Sequence, residues 1–221
     1  MHSVATNKTY FVTGIGTDVG KTLASAILVE ALKADYWKPI QSGSEFGTDS
    51  EFIKKLVSNS KTKIHQETYN FKAALSPHAA SELENTTIDT TKIITPKTNN
   101  NLIIEGAGGL MVPITETFFV IDLIQQLKAE VILITRNYLG SINHTLLSTA
   151  LLKARNIKVA GIIINGDENK STEKVILQQT QYNFLGRINE EKEINKAVIE
   201  KYANDFSTNP FFFCHSEERR I

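Results

Sequence analysis

The segment Thr13-Gly14-Ile15-Gly16-Thr17-Asp18-Val19-Gly20-Lys21-Thr22 narrows the possible folds more than any other part of this chain. A short apolar run, Tyr10–Thr13, precedes it. A run with Leu23, Ile27, Leu28, Ala31 and Leu32 at helical spacing follows it, over Lys21–Ala34. Strand, glycine turn and helix in that order are the setting of a phosphate-binding loop. Glycines let backbone N–H groups close on phosphate oxygens, and the helix N-terminus adds a favourable dipole. Lys21 is expected on the β- and γ-phosphates, and the Thr22 hydroxyl on Mg2+. The spacing from Gly14 to Gly20 is one residue longer than the standard loop, and Ile15 stands where that pattern has glycine.

Beyond the loop, short apolar runs alternate with longer amphipathic ones. Strands are predicted at Asn101–Glu105, Glu130–Thr135, Val159–Asn165 and near Phe184–Leu185, with an extended piece at Tyr36–Ile40. Helices are predicted at Asp49–Val57, Val120–Leu127, Ile142–Ala154, Ser171–Thr180 and from about Lys192 to Asn204. Ser76-Pro77-His78 can open a helix with proline at its first position. The rest of residues 58–100 is polar and carries little pattern. This alternation predicts an α/β fold of the P-loop NTPase-like kind, with a mostly parallel sheet and helices on both faces. Residues 1–221 are expected to form one domain, with 210–221 as a docked or frayed tail.

Composition removes several classes of function. Lys plus Arg and Asp plus Glu both number 24, so there is no basic excess of the kind a general nucleic-acid binder shows. One cysteine, Cys214, allows neither an intrachain disulfide nor a cysteine-based zinc site. No apolar run approaches the ~20 residues of a spanning helix, and no secretory signal is evident, so a cytoplasmic protein without membrane contact is expected. The histidines, at 2, 65, 78, 144 and 215, are not paired at metal spacing.

Ligands of open α/β sheets bind outside the carboxyl ends of the strands. Polar residues stand at several such ends. Lys38 follows the extended piece, Glu105 ends the run Leu102-Ile103-Ile104, Arg136 and Asn137 follow the next strand, and Asn165 and Gly166 the one after. Glu105, before Gly106-Ala107-Gly108-Gly109, reads as an acid near Mg2+. Asp49 serves equally as a helix cap or as a metal-side carboxylate. Asn165 serves equally as a turn residue or as an amide that reads a base.

Several segments together resemble dethiobiotin synthetase, an ATP-dependent family of biotin biosynthesis. They are YFVTGIGTDVGKT (10–22), WKPIQSGSE (37–45), LSPHAASE (75–82), IIEGAGGLMVPI (103–114), RNYLGSINHTLLS (136–148), AGIIIN (160–165) and FLGRI (184–188). The resemblance implies the substrates 7,8-diaminononanoate, CO2 and ATP, with Mg2+ as cofactor, and a homodimer. It implies Lys38 as the active-site lysine, with Lys21 beside it on the phosphoryl and carbamate charges. Ser42 would touch the substrate. Thr17, Asp18, Val19, Gly20, Lys21 and Thr22 would hold the triphosphate, with Gly106, Ala107 and Gly108 also on the nucleotide. Thr22, Asp49 and Glu105 would hold Mg2+, and Asn165 the adenine. Leu139, Gly140, Ser141, Ile142 and Asn143 would receive the substrate carboxylate from the other subunit. Asp18 replaces a glutamate frequent in the family, and Ile188-Asn189 replaces Ile-Pro.

Two rival readings are weaker. A partition or nitrogenase-iron-protein switch usually carries a second lysine early in the loop, where this chain has Gly14-Ile15-Gly16. A related amidase usually carries a glutaminase domain with a nucleophilic cysteine, which Cys214 in the tail does not suit.

Overall fold

The structure, a computed structural model, describes residues 7–213; Cys214 and the rest of the tail lie outside them. Seven strands form one parallel sheet in the order β4-β2-β6-β1-β7-β8-β9. They are β1 (Thr9–Gly14), β2 (Asp35–Trp37), β4 (Ile64–His65), β6 (Leu102–Gly109), β7 (Glu130–Arg136), β8 (Val159–Asn165) and β9 (Phe184–Ile188). Two short strands, β3 (Ile40–Gln41) and β5 (Tyr69–Asn70), pair by themselves. The phosphate-loop strand β1 lies at the centre, between β6 and β7.

Helices cover both faces, as the alternation predicts. On one side α1 (Lys21–Leu32), α2 (Asp49–Leu56) and α7 (Lys196–Ser207) pack on Tyr10, Val12, Tyr36, Ile103 and Ile132. On the other, α3 (Pro77–Leu83), α4 (Val120–Leu127), α5 (Ser141–Ala154) and α6 (Lys170–Thr180) cover Phe11, Trp37, Ile104 and Leu133. Successive strand residues thus enter opposite cores, which is why these strands read as unbroken apolar runs. Among the described residues no helix is long and apolar enough to cross a membrane.

Several details differ from the sequence reading. Tyr36–Ile40 is not one strand: the chain leaves the main sheet at Lys38-Pro39, where proline has no N–H for the ladder. Strand β6 runs on to Gly109, because its last residues are small enough to lie beneath the phosphate loop, with Gly109 paired to Gly14. Helix α7 starts at Lys196 because the Asn195 side chain caps it, accepting from Val198 N–H. Pro210–Phe213 forms a last helical turn, α8, in which Phe211 and Phe212 pack on the α1-side core. The Phe212 ring meets Tyr10 edge-on at 6.1 Å between centroids.

Residues 58–100 are held partly by one buried carboxylate. Asp35 opens β2 and is 2% exposed. It accepts from Lys63 N–H at 2.9 Å, Thr98 Oγ1 at 2.7 Å and Asn100 Nδ2 at 2.9 Å, and bonds His65 Nε2 at 3.0 Å. Burial pushes its pKa up, but the Asn100, Thr98 and Lys63 donors outweigh that and hold it below the usual aspartate value. Its contribution to stability is therefore present above the ordinary aspartate value of about 4 and is lost as pH falls through the lowered one. Asp35→Ala is expected to lower the unfolding free energy by about 3 kcal/mol in urea titrations at pH 7. In Asp35→Asn the urea midpoint should depend less on pH below about 4 than in the wild type. An unchanged acid limb would remove Asp35 as its cause.

Candidate active site

The loop from β1 to α1 is pinned on two sides. The Lys21 ammonium turns back to donate to the Gly16 carbonyl at 3.0 Å. The Asn165 amide, at the end of β8, donates to the Val19 carbonyl at 3.0 Å. Between them Gly20 has φ +92°, and a Cβ there would lie 2.2 Å from Asn165 Nδ2. Only glycine suits both demands at position 20.

Next to the loop, five side chains meet. The Lys38 ammonium lies 2.6 Å from Asp49 Oδ2 and 3.1 Å from Glu105 Oε1. The Thr22 hydroxyl is 2.9 Å from Asp49 Oδ1 and 2.8 Å from Glu105 Oε1. Its single hydrogen can serve one of them at a time. The Tyr36 hydroxyl donates to Glu105 Oε2 at 2.9 Å. Lys38 is 5% exposed and Glu105 1%.

Burial in this group shifts the ionisation of its members. It works against the Lys38 charge, but Glu105 and Asp49 outweigh it, and the Lys38 pKa stands above the ordinary lysine value. Burial likewise opposes the Asp49 charge, but Lys38 leads the groups that hold its carboxyl below the usual range. The Lys21 pKa is lowered, first by burial, and Lys38 adds to this while Glu105 opposes it.

Local structure explains how Asp49 comes to face inward. The cap of α2 is Thr48, whose side chain accepts from Glu51 N–H, while the Glu51 carboxylate accepts from Thr48 N–H. This leaves Asp49, the first helical residue, to turn toward Lys38. Gln41 steadies the same end: its Oε1 accepts from Asp49 N–H at 3.0 Å, and its Nε2 donates to the Ser42 carbonyl at 2.7 Å. Thr22, Asp49 and Glu105 offer oxygen donors only, which suits a hard divalent cation that also takes phosphate oxygens.

A cavity of about 1140 Å³ opens over this group. Thr17, Asp18, Gly20, Lys21 and Thr22 line it, as do Lys38, Ser42, Asp49, Glu105, Ala107, Gly108, Arg136 and Asn165. The Ser42 hydroxyl is buried with no hydrogen-bond partner among the described residues. Val19 and Gly106 stay behind the lining, Val19 being 3% exposed. Leu139, Gly140, Ser141, Ile142 and Asn143 do not line this chain's cavity. Leu139 is fully exposed, and the buried Ser141 hydroxyl has no partner among the described residues.

Sequence reasoning assigned no role to Tyr36, Gln41 or the wall Ala74–Pro77, all close to this group. Gln41 lay within the quoted segment WKPIQSGSE, so a signal for it was at hand. Tyr36 lies two residues before Lys38 in an apolar strand and gave none.

Comparisons with known proteins bear on the family and the fold. The family model described as AAA domain (AAA_26) matches residues 8–198. The chain is 52% identical to the ATP-dependent dethiobiotin synthetase BioD of Cytophaga hutchinsonii over 89% of this chain and 95% of that protein. It is 48% identical to the enzyme of the same name from Christiangramia forsetii, over 90% and 96%. Among solved structures, a chain of the MinC:MinD cell division protein complex of Aquifex aeolicus aligns with a TM-score of 0.59 at 15% identity, over 97% of this chain and 98% of that one. A putative plasmid partition protein from Borrelia burgdorferi, bound to AMPPNP, aligns with a TM-score of 0.58 at 14% identity, over 95% and 99%. At that identity the structural likeness speaks to the fold alone. The sequence relatives go further, and by them the chain belongs to the family of ATP-dependent dethiobiotin synthetases.

Proposed function

We propose that this chain converts 7,8-diaminononanoate, CO2 and ATP to dethiobiotin, ADP and phosphate, using Mg2+. The observation that carries the reading is Lys38, held between Asp49 and Glu105 in a cavity that opens on the phosphate loop. One amine of the substrate attacks CO2, loses a proton and becomes a carbamate. A carbamate oxygen attacks the γ-phosphorus of ATP, and the bond from that phosphorus to ADP breaks. The second amine then attacks the carbamate carbon. The carbon–oxygen bond to phosphate breaks, phosphate leaves with that oxygen, and the attacking nitrogen gives up a proton. Holding the second amine beside the activated carbon makes ring closure intramolecular, which lowers its entropic barrier.

The side chains divide the work. Lys38, kept protonated by its two carboxylates, stabilises negative charge on the carbamate and on the phosphoryl group in flight. Lys21 can swing from the Gly16 carbonyl to the β- and γ-phosphates. The unpartnered Ser42 hydroxyl offers a hydrogen bond to the substrate. Bound Mg2+ would neutralise triphosphate oxygens, and Thr22, Asp49 and Glu105 are the residues to hold it. Asn165, tied to the loop by one amide hydrogen, keeps its Oδ1 as an acceptor for the adenine amine.

The family resemblance extends the reading to a single synthetase domain over residues 1–221, acting as a cytoplasmic homodimer. Leu139–Asn143 then receive the substrate carboxylate of the other copy. The buried Ser141 hydroxyl, at the start of the 14-residue helix α5, supports that role.

The test is phosphate release from MgATP with bicarbonate, with and without 7,8-diaminononanoate. The expected result is release that depends on the diamine, with dethiobiotin formed in equal amount. Release that ignores the diamine would transfer the reading to an ATPase switch of the partition type.

A further inference from the structure

We propose that Tyr36 is the positioning residue of this site: its hydroxyl fixes Glu105 Oε2, so that Oε1 faces Thr22 and Lys38. The inference rests on the reading of Glu105 as a metal-side carboxylate.

Sheet register brings the two residues together. Strand β2 runs parallel to β6, and Tyr36 pairs with Ile103. Glu105 lies two residues beyond Ile103 and shares its face, since side chains alternate along a strand. The tyrosine ring therefore points into the α1-side core with Ile103 and reaches along β6 to the carboxylate. Tyr36 is completely buried, among aliphatic and aromatic neighbours. A phenylalanine would fill that space as well. The hydroxyl is needed only for its one acceptor, at 2.9 Å.

A glutamate carboxylate turns easily about its last bond, because that torsion is broad. At Glu105 the turn is stopped from behind. Oε2 is taken by the Tyr36 hydroxyl, and Oε1 is left for Thr22 at 2.8 Å and Lys38 at 3.1 Å. The donor is rigid, since its ring is packed on all sides and its strand is bonded to β4 and β6. Outer groups that orient a metal-side ligand in this way typically change metal affinity by 10–100-fold. Tyr36 does not line the cavity.

The experiment measures Mn2+ binding to the protein–ADP complex by electron paramagnetic resonance, with no turnover involved. Tyr36→Phe is expected to weaken Mn2+ binding about 10-fold, with ADP affinity in EDTA unchanged. In turnover assays the Mg2+ concentration for half-maximal rate should rise, while the rate at saturating Mg2+ is largely kept. A role in packing alone would lower the melting temperature and leave the Mn2+ affinity as it was, and that outcome overturns the proposal. A second measurement covers the case in which Tyr36→Phe does not fold. With 3-fluorotyrosine at position 36 the hydroxyl is retained, and the fluorine resonance should move on adding MgADP and not on adding ADP alone. A resonance indifferent to Mg2+ also overturns the proposal. If the wild-type ADP complex itself takes up no Mn2+, the metal reading of Glu105 fails, and the role of Tyr36 falls with it.

Discussion

Substituting Lys38 by methionine is expected to lower diamine-dependent phosphate release by about 10³-fold. Nucleotide binding should survive, because the loop amides, Lys21 and Thr22 do not depend on position 38. Methionine matches lysine in length and suits burial, so little volume changes. What goes is the cation that lies 2.6 Å from Asp49 and 3.1 Å from Glu105. Removing one partner of a buried pair costs about 3–5 kcal/mol, so thermal unfolding must first confirm a folded variant. Asp49 loses the leading cause of its lowered pKa, and its carboxyl should titrate nearer the ordinary aspartate range. A folded variant that keeps turnover within about 10-fold of wild type would remove Lys38 from the chemistry. One that no longer binds ADP would recast Lys38 as a nucleotide ligand.

Glu105→Gln should have a comparable effect by another route. Lys38 and Tyr36 donate to this carboxylate, and the Thr22 hydroxyl shares its one hydrogen between it and Asp49. The amide keeps a single oxygen and presents an NH2 where an acceptor is needed. Turnover at fixed Mg2+ is expected to fall by about 10²–10³-fold, and stability by about 3–5 kcal/mol. The sign of the pH effect also follows. Glu105 is the largest of the influences that raise the Lys38 pKa against burial. Without it that pKa falls, and the ammonium is lost at lower pH than in the wild type. The alkaline limb of the pH–rate profile should therefore move down. An alkaline limb that stays in place would show that Lys38 is not the group responsible for it.

Much of the sheet was legible in the sequence, because each main strand is an apolar run of several residues followed by a small or polar one. The placement of Lys38, Glu105 and Asn165 at this mouth was legible for the same reason, since each stands at a strand end beside a phosphate loop, though Asn165 served equally as a turn residue. Asp49 was ambiguous, because an aspartate at a helix start reads as a cap. Only the structure shows that Thr48 takes the cap and that Asp49 points at Lys38. Asp35 and Tyr36 were illegible for opposite reasons. Asp35 looks like a solvated strand-end charge until its partners at 63, 65, 98 and 100 fold around it. Tyr36 looks like any core aromatic, since one hydroxyl in an apolar run leaves no periodic signature. Residues 58–100 hold two-residue strands and a seven-residue helix, too short for either period to show.

The central place of β1 also sets the order of events during synthesis. Its ladder partners, β6 and β7, begin at Leu102 and Glu130. The strand that carries the phosphate loop thus emerges well before its ladder partners, and it has none until Leu102–Gly109 follows it. At roughly 5–20 residues per second, the delay is on the order of 10 s. Throughout it the apolar run Tyr10-Phe11-Val12 is exposed to chaperones, and to other nascent chains on the same message. Chains stalled on the ribosome with residues 1–100 outside should be cut by protease near β1, and chains extended past β7 should resist. Early protection of the short chains would mean that some other part of the sequence shelters the strand first.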